Sequence, residues 1–185
     1  MSAIGKAPVS GRVRVAGVNV AGDDQADRRV HGGPDKAVYA YAREDSNWWE
    51  DVLGIDIADG MFGENLTTEG VDVTNAVIGE RWRIRTVELE VCQPRQPCSK
   101  LGLRFGNPKM VKRFAQASRP GAYLRIVTEG ELGVGDAVEV RSRPDHGVTI
   151  AMVSDAVFKD RSLAARVLEA PQLSVETAAD LRQAA

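Results

Sequence analysis

The chain has 185 residues, 43% of them hydrophobic and 27% charged, and a formal net charge of −2. These proportions fit one globular domain, or one domain with an appendage. With an isoelectric point near 5.8, the balance argues against stable nucleic-acid binding or an anionic-membrane surface.

The first two-thirds reads mainly as β. Arg12 to Val20 alternates loosely, with Val13, Val15 and Val18 apolar. The basic pair Arg28-Arg29 then precedes His31-Gly32-Gly33-Pro34-Asp35-Lys36, a glycine-rich turn leading into the short apolar run Ala37 to Ala42. Backbone N–H groups beside Lys36 and a histidine suit a phosphate; a tight turn capped by Asp35 is the plainer reading. Asp45 or Ser46 is placed to cap a helix through Leu53, with Gly54 as its stop. Glu64, Asn65, Thr67 and Thr68 follow a glycine. Asn65 and the two threonines suit reading a polar ring, or the run is simply turns and caps. Gly70 to Ile78 holds one or two short strands.

A long strand is expected from Trp82 to Cys92, where Ile84, Val87, Leu89 and Val91 are apolar and Arg85, Glu88 and Glu90 polar. In Gln93-Pro94-Arg95-Gln96-Pro97-Cys98 two prolines then end ladder pairing and stiffen the backbone. Arg95 and Lys100 flank Cys98, and nearby cations favour a thiolate. A rigid loop presenting a thiolate beside a guanidinium suits a soft metal with an anionic ligand, or a nucleophile. An inert cysteine near a sheet edge is the alternative.

Asn107-Pro108 marks a helix start, running to about Ala117. Ala122 to Thr128 and Ala137 to Arg143 are strands joined by a glycine-containing turn, Glu129 to Asp136. After Pro144 to Gly147 the character changes. Thr149 to Lys159, Ser162 to Glu169 and Ser174 to Ala184 read as helices, each opened by a Ser or Thr cap. The expected organisation is a β-barrel or sandwich over 1–145, then a small three-helix appendage over 146–185.

Several classes are excluded. Two cysteines cannot hold a four-thiolate iron–sulfur cluster, and they make no disulfide framework. Cys92, Cys98, His31 and His146 match no zinc spacing, and His146 reads as structural. No GxGxxG or Walker A sequence is present, so the chain carries no flavin, nicotinamide or nucleotide module. No apolar run approaches the ~20 residues that cross a bilayer, and Met1 to Ser10 lacks an apolar signal core. A cytoplasmic location is expected.

HGGPDKAVYAY (31–41), FGENLTTEG (62–70) and QPRQPCSKL (93–101) together resemble the MOSC domain family, named after the C-terminal domain of molybdenum-cofactor sulfurase. The resemblance is closest to its YiiM-like branch, in which a MOSC β-barrel precedes a short helical domain. It implies a molybdenum cofactor (molybdopterin) with Cys98 as molybdenum ligand, and the other two motifs lining the same pocket. A thiolate matches the soft donors of such a centre, and Arg95 offers a planar fork for phosphate or pterin carbonyls. Cys92 departs from the pattern, where a small polar residue such as threonine is expected.

The implied activity is reduction of N-hydroxylated compounds: hydroxylamines, amidoximes or N-hydroxylated bases. Electrons would come from a partner flavin or iron–sulfur protein. Cys98 would hold the metal, Glu64 or His31 would supply protons, and Arg95, Lys36, Gly32, Gly33, Asn65, Thr67 and Thr68 would bind the cofactor. A carrier of the cofactor or of its sulfur would use the same residues without turnover. A cysteine hydrolase or thiol transferase would need His31 beside Cys98. Pyridoxal phosphate, which the sulfurases hold on a separate domain, is not expected.

Overall fold

A computed structural model describes residues 5–23 and 32–183, so His31, Arg28 and Arg29 lie outside the described residues. Strands β1 (Arg12–Ala16) and β2 (Asn19–Val20) open the chain, and β3 (Val38–Ala42) leads directly into helix α1 (Arg43–Leu53). Strands β4 (Leu66–Thr68), β5 (Arg81–Ile84) and β6 (Val87–Pro94) follow, then helices α2 (Ser99–Arg104) and α3 (Met110–Gln116). Strands β7 (Ala122–Thr128), β8 (Gly130–Gly133) and β9 (Val138–Ser142) complete the β part, and α4 (Ile150–Phe158), α5 (Ala164–Val167) and α6 (Val175–Gln183) end it.

A six-stranded mixed sheet in the order β4-β3-β7-β6-β5-β9 and a three-stranded sheet, β2-β1-β8, form a half-barrel. Among the described residues only β3 and β4 pair in parallel. Every residue of β3 is buried, because it is central to the sheet and packed on both faces. One apolar cluster runs through the barrel interior, with Val15, Val38, Trp82, Leu89 and Leu124, and continues into Ile150, Val153, Val167 and Leu181 of the last helices. A second, aromatic cluster gathers Tyr39, Tyr41, Trp49, Phe62 and Phe114 with Leu101 and Met110. That second cluster lies beneath the loop after β6. Among the described residues, no helix is long and apolar enough to cross a membrane.

Local chemistry moves several expected boundaries. The strand expected over Trp82 to Cys92 is a hairpin, turned at Arg85 with φ of 54°. Glycines expected to form a turn from Glu129 instead allow β8. Gly130 lies against Thr86, where a Cβ would come within 2.4 Å of the threonine hydroxyl. Gly70 to Ile78 holds no strand; Val77 makes one isolated bridge with Thr149. Helix α1 begins at Arg43, so Asp45 and Ser46 lie inside it and are buried, and Gly54 ends it in the left-handed conformation, as expected. Pro94 stays in β6, opposite Ala122, which its place at the strand end permits. Thr149 and Ser174 do cap their helices, accepting from Met152 N and Thr177 N.

Candidate functional site

The third motif begins at an irregularity. Pairing of β6 with β7 shifts between Val91 and Gln93, and Cys92 sits there fully buried. Its sulfur lies 3.0 Å from the Asp35 carbonyl oxygen and 3.3 Å from that of Tyr123. Burial pushes the Cys92 thiol well above its ordinary pKa, so it remains a neutral donor and a poor metal ligand. Cys98 is different. It is half-buried, its backbone is extended, and it stands at the start of α2 without capping it.

Between them, Arg95 is buried. Its guanidinium lies 5.2 Å over the Tyr39 ring and 5.8 Å over that of Phe114, a cation–π arrangement strengthened by desolvation. Nη1 donates to the Phe62 carbonyl. Among the described residues no carboxylate pairs with it. Burial works against its charge, yet Tyr39, Tyr123 and Cys98 hold its pKa above the ordinary value. Arg95 thus touches the first motif at Tyr39 and the second at Phe62, and it feels Cys98 in its own.

In the second motif Asn65 completes the edge of β3. Its N–H donates to the Tyr39 carbonyl at 2.8 Å, and its Oδ1 accepts from Tyr39 N at 2.9 Å. Its Nδ2 donates to Asp23 at 2.7 Å, which also accepts from Lys6 at 2.7 Å. Glu64 Oε1 accepts from Gly60 N at 2.6 Å and from the Thr67 hydroxyl at 3.1 Å. Glu64 Oε2 and the Thr68 hydroxyl are buried without a partner. Lys6, Glu64, Asn65, Thr67 and Thr68 line a groove of about 750 Å³ that reaches the β8–β9 turn. Desolvation lowers the Lys6 pKa, against the pull of Asp23.

In the first motif Gly33, with φ of 97°, turns the chain into a short 3-10 turn over Pro34–Lys36. Gly32 precedes it, half-buried. Asp35 pairs with Arg125 rather than capping the turn. Lys36 is held by Glu176 of α6 at 2.6 Å. Gln93, opening the third motif, donates to the Asp35 carbonyl at 3.2 Å, so the first and third motifs are joined through it.

The structure thus gathers Arg95, Cys98, Tyr39, Asn65, Glu64 and Lys6 into one neighbourhood, with Lys36 tied in through Gln93. Thr67 and Thr68 face the groove, and Cys98 is not among its lining. Sequence reasoning missed Lys6, Asp23, Tyr123 and Glu176. None stands in a motif, although Tyr123 lies on the strand opposite Gln93. His146 serves the backbone, its Nδ1 accepting from Val148 N at 3.1 Å. Among the described residues no group of three or more His, Cys, Asp or Glu is placed to hold a metal.

Comparison with known proteins fits this layout. Residues 27–139 match the MOSC domain. The chain is 37% identical to the uncharacterised protein YflK of Bacillus subtilis, over 84% of this chain and 70% of that protein. It is 32% identical to protein YiiM of Escherichia coli, over 77% of this chain and 65% of that protein. A protein of Gibberella moniliformis named "Reductase" is 35% identical over 77% of this chain, which spans 26% of that longer protein. The crystal structure of YiiM from Geobacillus stearothermophilus superposes with a TM-score of 0.84 at 28% identity, covering 97% of this chain and 87% of that one. The chain belongs to the MOSC domain family.

Proposed function

We propose that this protein binds a molybdenum cofactor at Cys98 and reduces N-hydroxylated compounds with electrons from a partner protein. The observation that carries the reading is the buried Arg95 guanidinium, without a carboxylate partner among the described residues, beside the half-exposed Cys98. A buried cation left without a counter-ion is costly, and an anionic ligand or a thiolate offsets it. The donor set fits as well. Cys98 offers a single soft donor, so a metal held there would take its other donors from an organic carrier. A dithiolene-bearing pterin is such a carrier, and a thiolate is the matching soft donor.

When bound, the cofactor supplies the two-electron couple for reducing the N–O bond, which also consumes two protons and releases water. The chain supplies position and charge. Arg95 fixes the loop that carries Cys98 to the Phe62 carbonyl and the Tyr39 ring. Lys36 provides a cation for a phosphate, on a turn tied to the same loop by Gln93. Asn65 holds the second motif on β3, and Thr67 fixes Glu64 through Oε1. Glu64, whose Oε2 is buried without a partner, would be the proton donor to the substrate. With no nicotinamide or flavin motif in the chain, electrons reach the site from a flavin or iron–sulfur protein.

The test is to purify the protein from cells that make the cofactor, measure molybdenum per chain, and assay loss of a hydroxylamine or amidoxime with reduced viologen. Molybdenum near one per chain with turnover is the expected result. Molybdenum without turnover would favour a carrier of the cofactor or its sulfur, and no molybdenum would end the reading.

A further inference from the structure

Gln93 lies in a buried polar junction that the reaction itself does not require. Gln93 is 2% exposed, and Ser174 and Thr177, whose side chains meet it, are 0% and 1% exposed. Gln93 Nε2 donates to the Asp35 carbonyl at 3.2 Å. Gln93 Oε1 accepts from the Ser174 hydroxyl at 2.7 Å and from the Thr177 hydroxyl at 2.9 Å. The Ser174 backbone N–H donates to the Cys92 carbonyl at 3.2 Å. Two further contacts press the same segment into place. Glu176 reaches Lys36 at 2.6 Å, and Gly79 leaves room for Gln172, whose side chain would be 2.7 Å from a Cβ there.

Buried side-chain amides and hydroxyls are costly to desolvate unless every group is satisfied, and networks that satisfy them fix one geometry. Here the amide is satisfied from two directions: by the turn that carries Lys36 and by the first turn of α6. Asp35 and Lys36 are adjacent, and Gln93 is two residues before Arg95 and five before Cys98. The distance between the cation of the first motif and the sulfur of the third is therefore set by a junction that the C-terminal helix completes.

We infer that Gln93 is a positioning residue, and that Ser174 and Thr177 make the first turn of α6 the support that holds the Lys36 turn against the Cys98 loop. This rests on the cofactor reading above for its consequence, the retention of an anionic ligand, but not for the mechanical coupling itself. Ser174 and Thr177 are buried under the junction, so they act through Gln93 rather than on a ligand.

The test compares Thr177→Val, which keeps the side-chain shape, and Ser174→Ala with Thr149→Ala. The control removes a helix cap of the same kind at α4, whose hydroxyl bonds Met152 N and not Gln93. Amide hydrogen exchange is followed in peptides spanning residues 33–37, and molybdenum per chain is measured on the same preparations. Loss of one buried hydrogen bond should speed exchange at 33–37 by about fivefold in the first two variants, leave it unchanged in Thr149→Ala, and lower molybdenum content in the first two alone. Unchanged exchange at 33–37 in Thr177→Val and Ser174→Ala overturns the coupling. So does equal loosening in Thr149→Ala, which would mark a general loss of helix stability. Faster exchange with undiminished molybdenum overturns the link to ligand retention. A wild-type protein without molybdenum would defeat the functional reading, while the exchange comparison would still decide the coupling.

Discussion

Arg95 donates a hydrogen bond to the carbonyl of Phe62, 33 residues earlier in the chain, while its guanidinium lies across the Tyr39 ring. One side chain thereby connects all three motifs. Lysine keeps the charge at position 95 but loses the planar group that stacks on an aromatic face while donating sideways. A buried charged hydrogen bond is worth about 1.5–3 kcal/mol, so Arg95→Lys should weaken cofactor retention by roughly ten- to a hundredfold. It should also lower the melting temperature. Molybdenum content after gel filtration, read beside a thermal melt, checks both; equal retention in the two proteins would assign Arg95 to the loop alone.

The two cysteines should separate cleanly. Cys98→Ser is expected to lose bound molybdenum and viologen-driven turnover, because a hydroxyl is a hard and largely protonated donor. Cys92→Ser should keep most of both, since a serine hydroxyl can still donate to the Asp35 carbonyl that Cys92 now approaches at 3.0 Å. Metal analysis of the two variants side by side is sufficient.

Glu176 competes with any anion for Lys36. The pair is partly exposed, and such pairs contribute about 0.2–1 kcal/mol. Glu176→Gln should therefore raise retention of a phosphate-bearing ligand by at most a few-fold, most visibly at low salt. Retention measured against increasing chloride would show the curves converging. A fall in retention would mean that Glu176 orients Lys36 instead.

Stability should fall on the alkaline side. Burial raises Cys92 above its ordinary 9.0 and Tyr39, Tyr41 and Tyr123 above their ordinary 10.0. The folded state thus holds protons that the unfolded state releases, and stability falls with pH in that range. The stabilisation is present in full below about pH 9 and is lost as pH rises beyond it. Melting temperatures from about pH 8 to about pH 10.5 should decline, and less steeply near the start in Cys92→Ser.

Removing the last helices should be severe. Ile150, Val153, Val167 and Leu181 belong to the same cluster as Trp82 and Leu89, and each buried aliphatic side chain contributes roughly 1.5–3 kcal/mol. A chain ending at Arg143 should be recovered aggregated, or with far-ultraviolet circular dichroism well below that of the full chain. A soluble, cooperatively melting truncation would show that the β part stands alone.

Much of this was legible in the sequence where local signals were strong. Gly54 stops α1, Asn107-Pro108 precedes α3, and Thr149 caps α4, each through chemistry confined to a few residues. What was hidden depended on distant partners. Arg85 turns the β5–β6 hairpin with φ of 54°, a conformation nothing in Arg85-Thr86 announces; the turn is held by Thr86, which bonds Glu131 across 45 residues. Helix α2 was hidden behind two prolines. In the site, the motif residues were visible but not their division of labour. Asn65 holds a strand edge, and Asp35 serves Arg125. Lys6 is a single lysine in a featureless segment until Asp23 and Asn65 are seen around it.

The buried junction at Gln93 bears on how the molecule is made. Strand β3 pairs with β7, so residues near 39 wait for residues near 123, and such long-range pairing slows folding. Gln93 waits longer still, for Ser174 and Thr177. Those residues are made 81 and 84 positions after Gln93, a long wait in synthesis. The turn bearing Lys36 and the loop bearing Cys98 therefore reach their final spacing only after the segment through Thr177 has been made, and any ligand that needs both is loaded after that point rather than when the motifs first emerge.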